Sequence, residues 1–214
     1  DDNAIKLTFT DGSAVELLNA GNAAGTHVVS VPGAGGEQGI SGTSVNQAPG
    51  DVDFGAGSTA LGVEWHSAAD FLADGLKMSA SFSTDSGAAK TAVARTENSW
   101  GIGATYVTSA GDTALTIGGG FASSSTAKTG TQLTNDVNGF NVGVSAVTGD
   151  LTVGVGYGDG DTWADENESV HSQADGSVTT AGIKYVTGDI TLALGVVSGE
   201  AKDSNTVGTA GTTD

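Results

Sequence analysis

The chain has 214 residues, enough for one or two ordinary domains, and only 37% of them are apolar. Its formal charge of −18, from 25 acidic against 7 basic side chains, excludes a nucleic-acid partner, because phosphates demand basic patches. The absence of cysteine excludes a disulfide framework, thiol catalysis and thiolate metal ligation, and no run of about 18 apolar residues supplies a transmembrane helix. A membrane stays open, since spanning strands need only about 9–11 residues of alternating character.

Asp1 opens the chain with no basic or apolar leader, so a targeting segment is expected to have been removed or to lie outside it. Ile5, Leu7 and Phe9 alternate before Asp11-Gly12, a two-residue hairpin signal, and Val15 and Leu17 follow. His27 to Val31 reads as a further short strand, and 32–57 shows none, which marks it as a long functional connection. From there period-two alternation predicts eight strands. They fall near 58–66, 75–83, 99–108, 113–122, 139–147, 151–158, 178–186 and 190–198.

Connections alternate too. Short turns are expected near 67–74, 109–112, 149–150 and 188–189, and long loops near 84–98, 123–138 and 159–177. All short connections then share one end of the sheet, as an up-and-down meander requires when its two ends face different environments. Three phrases repeat the unit: Tyr106-Val-Thr-Ser-Ala-Gly-Asp112, Ala146-Val-Thr-Gly-Asp150 and Tyr185-Val-Thr-Gly-Asp189, with aspartates 38 and 39 residues apart. Of the 25 acidic residues, the expected strands hold only Glu16 and Glu64, so negative charge belongs to the connections.

One face of each strand carries Val, Leu, Ile and aromatic rings, and the other carries almost nothing large. The bare face holds Gly101, Gly103, Thr105, Gly118, Gly143, Gly154, Gly156 and Gly195, with larger groups only at Glu64, His66, Lys77 and Lys184. A lysine facing lipid at mid-membrane costs about 2–4 kcal/mol, whereas a lumen accepts either sign, so this segregation predicts lipid outside and water inside. Trp65, Phe82, Trp100, Tyr106, Phe121, Phe140, Tyr157 and Tyr185 lie in phase with the apolar face near strand ends, where interfacial rings belong. On this reading the bare face leaves room for solute.

No enzymatic constellation occurs. His27, His66 and His171 stand in no H-E-x-x-H context, and neither a nucleophile elbow nor a phosphate loop is present. The acidic run containing Asp159, Asp161, Asp165 and Glu166 fails the EF-hand spacing at Trp163 and Ala164. It reads as a solvated loop whose largest capacity is loose binding of Ca2+; no cofactor and no metal centre are expected.

The hairpins "NSWGIGATYVTSAGDTALTIGGGFAS" and "NGFNVGVSAVTGDLTVGVGYGDGD", with "TTAGIKYVTGDITLALGVVSGE", resemble the strands of general porins of Gram-negative outer membranes over roughly 58–200. The resemblance implies a homotrimer of antiparallel transmembrane barrels, each of about 16 strands and contacting lipid and lipopolysaccharide, with a long loop folded into the lumen. The chain departs from that pattern in offering roughly 8–11 strands and in ending on the loop-like "NTVGTAGTTD", so 1–214 is expected to be one incomplete barrel domain. The resemblance makes 32–57 the candidate constriction loop, or else a long external one, with Glu37, Asp51 and Asp53 as its lining carboxylates. Glu64, His66, Lys77 and Lys184 are the candidate pore-lining residues. The expected function is a weakly cation-preferring diffusion pore for small hydrophilic solutes and ions, not an enzyme. The rival is a secreted all-β surface protein, such as an adhesin or surface-layer domain, which gives no reason for the alternating connections.

Overall fold

The computed structural model describes residues 5–17, 23–33, 36–38, 61–84, 94–128, 136–163 and 173–201. In chain order these form β1 (Ile5–Thr8), β2 (Ala14–Leu17), α1 (Ala23–Thr26), β3 (Val31–Gly33), β4 (Gly36–Gln38), β5 (Leu61–His66) and β6 (Leu76–Thr84). There follow β7 (Ala94–Ala110), β8 (Thr113–Lys128), β9 (Asp136–Thr148), β10 (Leu151–Trp163), β11 (Gln173–Thr187) and β12 (Ile190–Ala201). Ten strands make one antiparallel sheet in the order β1-β2-β5-β6-β7-β8-β9-β10-β11-β12, within the expected range; β3 and β4 pair separately. The all-β, up-and-down barrel architecture expected from the alternation, porin-like as the resemblance implies, is present.

Hairpin geometry follows from the turn residues. Gly111, Gly149 and Gly188 have φ of 61°, 55° and 56°, while the aspartate after each does not enter positive φ. Glycine at the first central position alone is the type II′ signature, whose twist matches that of the flanking strands. The first hairpin differs from its two-residue expectation. Phe9 and Ser13 close it through Phe9 N to Ser13 O at 2.8 Å, and Gly12, at φ 87°, donates to Phe9 O. That is a three-residue loop with a glycine bulge, and Asp11 Oδ1 accepts from both Ser13 N and Ser13 Oγ. These bonds to the ionised form hold the Asp11 carboxyl below its usual pKa.

Several strands run farther than the alternation suggested. β7, β8 and β10 have 17, 16 and 13 residues, so much of the expected long loops is strand. The extensions are polar, as in Ser123-Ser124-Ser125 paired with Asn98, Ser99 and Trp100, and carry no apolar alternation to reveal them. They bring Glu97, Asp136, Asp159, Asp161, Asp175 and Glu200 into strands, which corrects the assignment of nearly all acid to connections. The rings Trp100 and Phe121, 5.3 Å apart, and Phe140 and Tyr157, 5.8 Å apart, consequently mark the upper limit of the apolar band and not strand ends. At the short-turn end, Trp65 packs edge-on against Phe71 at 5.4 Å.

Burial is inverted relative to a water-soluble sheet. Ile102 is 52% exposed and Leu194 64%, whereas among the described residues the buried apolar ones are alanines and valines and the buried polar ones include Glu64, Ser79, Ser83, Ser99 and Thr180. Soluble monomers seldom expose contiguous apolar patches above a few hundred Å². A face apolar across all ten strands cannot meet water alone, and this disfavours the secreted surface protein.

The bare face is not empty. The segment 23–33, a strap, lies across the inner face from β6 to β12. A Cβ built on Gly118 would stand 2.7 Å from His27 O, one on Gly143 2.9 Å from Val29 Cβ, and one on Gly195 3.0 Å from Gly33 Cα. Close approach of two backbones requires glycine there. The reading of that face as free space is thus corrected: at the level of the strap it is bare because the chain's own backbone lies on it. Of the short strand expected at 27–31, only Val31 is in a strand, as the first residue of β3, while 27–30 follow α1 without regular structure.

Candidate functional site

The strap is held by polar groups of β5, β6, β7 and β9. Ala23 N donates to Ser81 Oγ at 3.0 Å, Asn141 Nδ2 donates to Ala24 O at 3.1 Å, and Thr26 Oγ1 donates to Glu64 Oε1 at 3.0 Å. His27 Nδ1 lies 2.7 Å from Thr105 Oγ1 and its Nε2 lies 3.0 Å from Ser79 Oγ. His27 is buried in this connecting segment, outside the spanning strands. Burial first, and the neighbouring His66 and Lys77 next, push its pKa down.

Beside the strap, register assembles the charged wall. Glu16 of β2 is the cross-strand partner of Glu64 on β5 and of Lys6 on β1, with Lys6 Nζ ion-paired to Glu16 Oε1. His66 completes the group: its Nδ1 lies 3.0 Å from Ser79 Oγ and 3.9 Å from Glu64 Oε1, and its Nε2 lies 3.6 Å from Glu16 Oε1. The expected residues Glu64 and His66 therefore come together. Lys77 stands exposed on β6 opposite Thr105, and Lys184 stands partly exposed across the sheet opposite Thr152. Lys6, Glu16, His27 and Ser79 were not singled out by sequence, although Glu16 was one of only two acids placed in strands.

Of the expected constriction loop, Glu37 lies in β4 opposite Pro32, and Asp51 and Asp53 fall outside the described residues. The inward segment described here begins earlier, at Ala23. Asp159, expected in an external loop, is instead a strand residue opposite Phe140 and accepts from Tyr157 Oη at 3.0 Å. Asp161 is also in β10, while Asp165 and Glu166 fall outside the described residues. Among the described residues no helix is long and apolar enough to cross a membrane, which says nothing of a β-barrel.

This fold is that of a porin-like β-barrel. Among solved structures the chain is similar to a porin refined at 1.8 Å resolution, with 15% sequence identity and a TM-score of 0.56 over 91% of this chain and 73% of that one. No protein-family model matches the chain, and no curated protein matches it significantly.

Proposed function

We propose that the chain forms a water-filled channel in the outer membrane of a Gram-negative bacterium, for passive diffusion of small hydrophilic solutes and ions. The observation that carries this reading is the inverted burial, with large apolar side chains exposed outward and small or polar ones facing inward. Lipid and lipopolysaccharide would cover the outer face, and a homotrimer is the assembly in keeping with the resemblance. The strap narrows the lumen in the role expected of 32–57, and catalysis has no part in the reading.

A weak cation preference completes the proposal. On the described inner face Lys6, Lys77 and Lys184 nearly balance Glu16 and Glu64, so the wall itself selects little. The overall charge of −18 must then act from outside the spanning wall, where salt screens it within about 10 Å at 0.1 M. Reversal potentials in planar bilayers under a salt gradient test this: a small cation preference that fades with ionic strength is expected, and anion preference would refute it.

A further inference from the structure

In the group formed by Glu16, Glu64 and His66, the strap meets Glu64 through Thr26 Oγ1 and leaves the three side chains facing one another. Their ligating atoms, one carboxylate oxygen from each glutamate and one ring nitrogen, all lie within 4.8 Å of one another. Glu64 is only 2% exposed, and among the described residues no lysine or arginine pairs with it. A buried carboxylate beside a second carboxylate is costly unless a cation or donors compensate it, and Thr26 Oγ1 is one donor. Independently, His66 Nε2 is a buried nitrogen without a hydrogen-bond partner, and it faces Glu16 Oε1 at 3.6 Å.

We infer that Glu16, Glu64 and His66 bind a borderline divalent transition-metal ion such as Zn2+. Tetrahedral ligands at bonds of about 2.0–2.2 Å stand about 3.4 Å apart, close to the 3.6 Å already separating His66 Nε2 from Glu16 Oε1. The remaining ligand separations, at most 4.8 Å, must shorten by side-chain rotation when the ion binds. Ser79 Oγ can accept from His66 Nδ1, which fixes the tautomer that leaves Nε2 with its lone pair; an outer partner of this kind orients most ligating histidines. One nitrogen with two carboxylate oxygens favours Zn2+ over Ca2+, which takes six to eight oxygens. Lys6 competes, because its ammonium holds Glu16 Oε1 and must yield that oxygen or leave Glu16 to ligate through the other. The site stands on side-chain placement in the folded barrel and does not depend on the chain conducting ions.

Calorimetric titration of the full chain refolded in detergent, with Zn2+, Co2+ and Ca2+ as separate probes, tests the inference. One Zn2+ per chain is expected, with Co2+ giving the visible absorption bands of low coordination and Ca2+ unable to displace it. Glu16→Gln and His66→Gln should each weaken Zn2+ by at least about tenfold, and Lys6→Met should strengthen it. Lys184→Met, across the sheet, should leave it unchanged. Absence of stoichiometric Zn2+ binding, or binding that survives both ligand substitutions in folded protein, would overturn the site. Because no conductance is read, failure here leaves the channel reading to its own test.

Discussion

Substituting Gly118 by alanine sets two opposing effects against each other. In a strand with open space above it, Gly→Ala gains roughly 0.5–1 kcal/mol by reducing the freedom of the unfolded chain. At Gly118 the new Cβ would lie 2.7 Å from His27 O, 2.9 Å from Val29 Cγ2 and 3.2 Å from Thr105 Oγ1. The nearest of these is backbone and cannot rotate away, so the strap must lift. Overpacking of this kind costs about 1–3 kcal/mol, and it exceeds the entropic gain. Net destabilisation of about 1–2 kcal/mol is expected, or roughly 2–8 °C in melting temperature for a chain of this size. Thermal and urea unfolding of the refolded chain in detergent measures it. Gly154→Ala serves as the graded comparison, because its nearest neighbour is the side-chain Cδ of Pro32 at 3.1 Å, so its cost should be smaller. Equal or greater stability of Gly118→Ala than of the parent chain would refute the docking of the strap on the glycine face.

Thr26→Val removes the donor at 3.0 Å from Glu64 and leaves a buried carboxylate less satisfied, at a cost of about 1.5–3 kcal/mol in unfolding. A change within a few tenths of the parent value would show that Thr26 does not satisfy Glu64. Since folding lowers the pKa of His27, its neutral ring contributes stability in full above the ordinary value of 6.5, and that contribution is lost as pH falls through the folded value. Melting temperature should drop as pH is lowered below about 6.5, less steeply in His27→Gln; identical pH profiles would contradict this. On the outer face Val153→Lys should impair insertion into lipid vesicles by about 2–4 kcal/mol, whereas Thr152→Lys on the inner face should be tolerated. Equal effects of the two neighbours would remove the assignment of faces.

The eight longer strands were legible because one face of each must be continuously apolar, and that constraint writes period two into Leu151, Val153, Val155 and Tyr157. Their polar extensions were not, because beyond the aromatic belt neither face has to exclude water; Ser123 to Ser125 and Gly158 to Asp161 therefore carry no alternation. The strap was illegible for another reason. Each inward glycine at 118, 143, 154 and 195 reads alone as spare volume, and only the fold reveals that Val29, Pro32 and Gly33 lie on them. Glu64 and His66 could be placed on the inner face by parity. Their grouping with Glu16 depends on the pairing of β2 with β5 across a connection from 18 to 60, and no local pattern encodes that register.

The central claim is that adjacent residues of one strand face water on one side and lipid on the other. The natural absence of cysteine makes the test direct, since each introduced thiol is the only one in the chain. In planar bilayers, a membrane-impermeant charged thiol reagent should alter single-channel conductance of Thr191→Cys and leave Leu192→Cys unaffected, although Leu192 is 61% exposed in the isolated chain. Equal modification of both positions, or the absence of any conducting channel, would contradict the account.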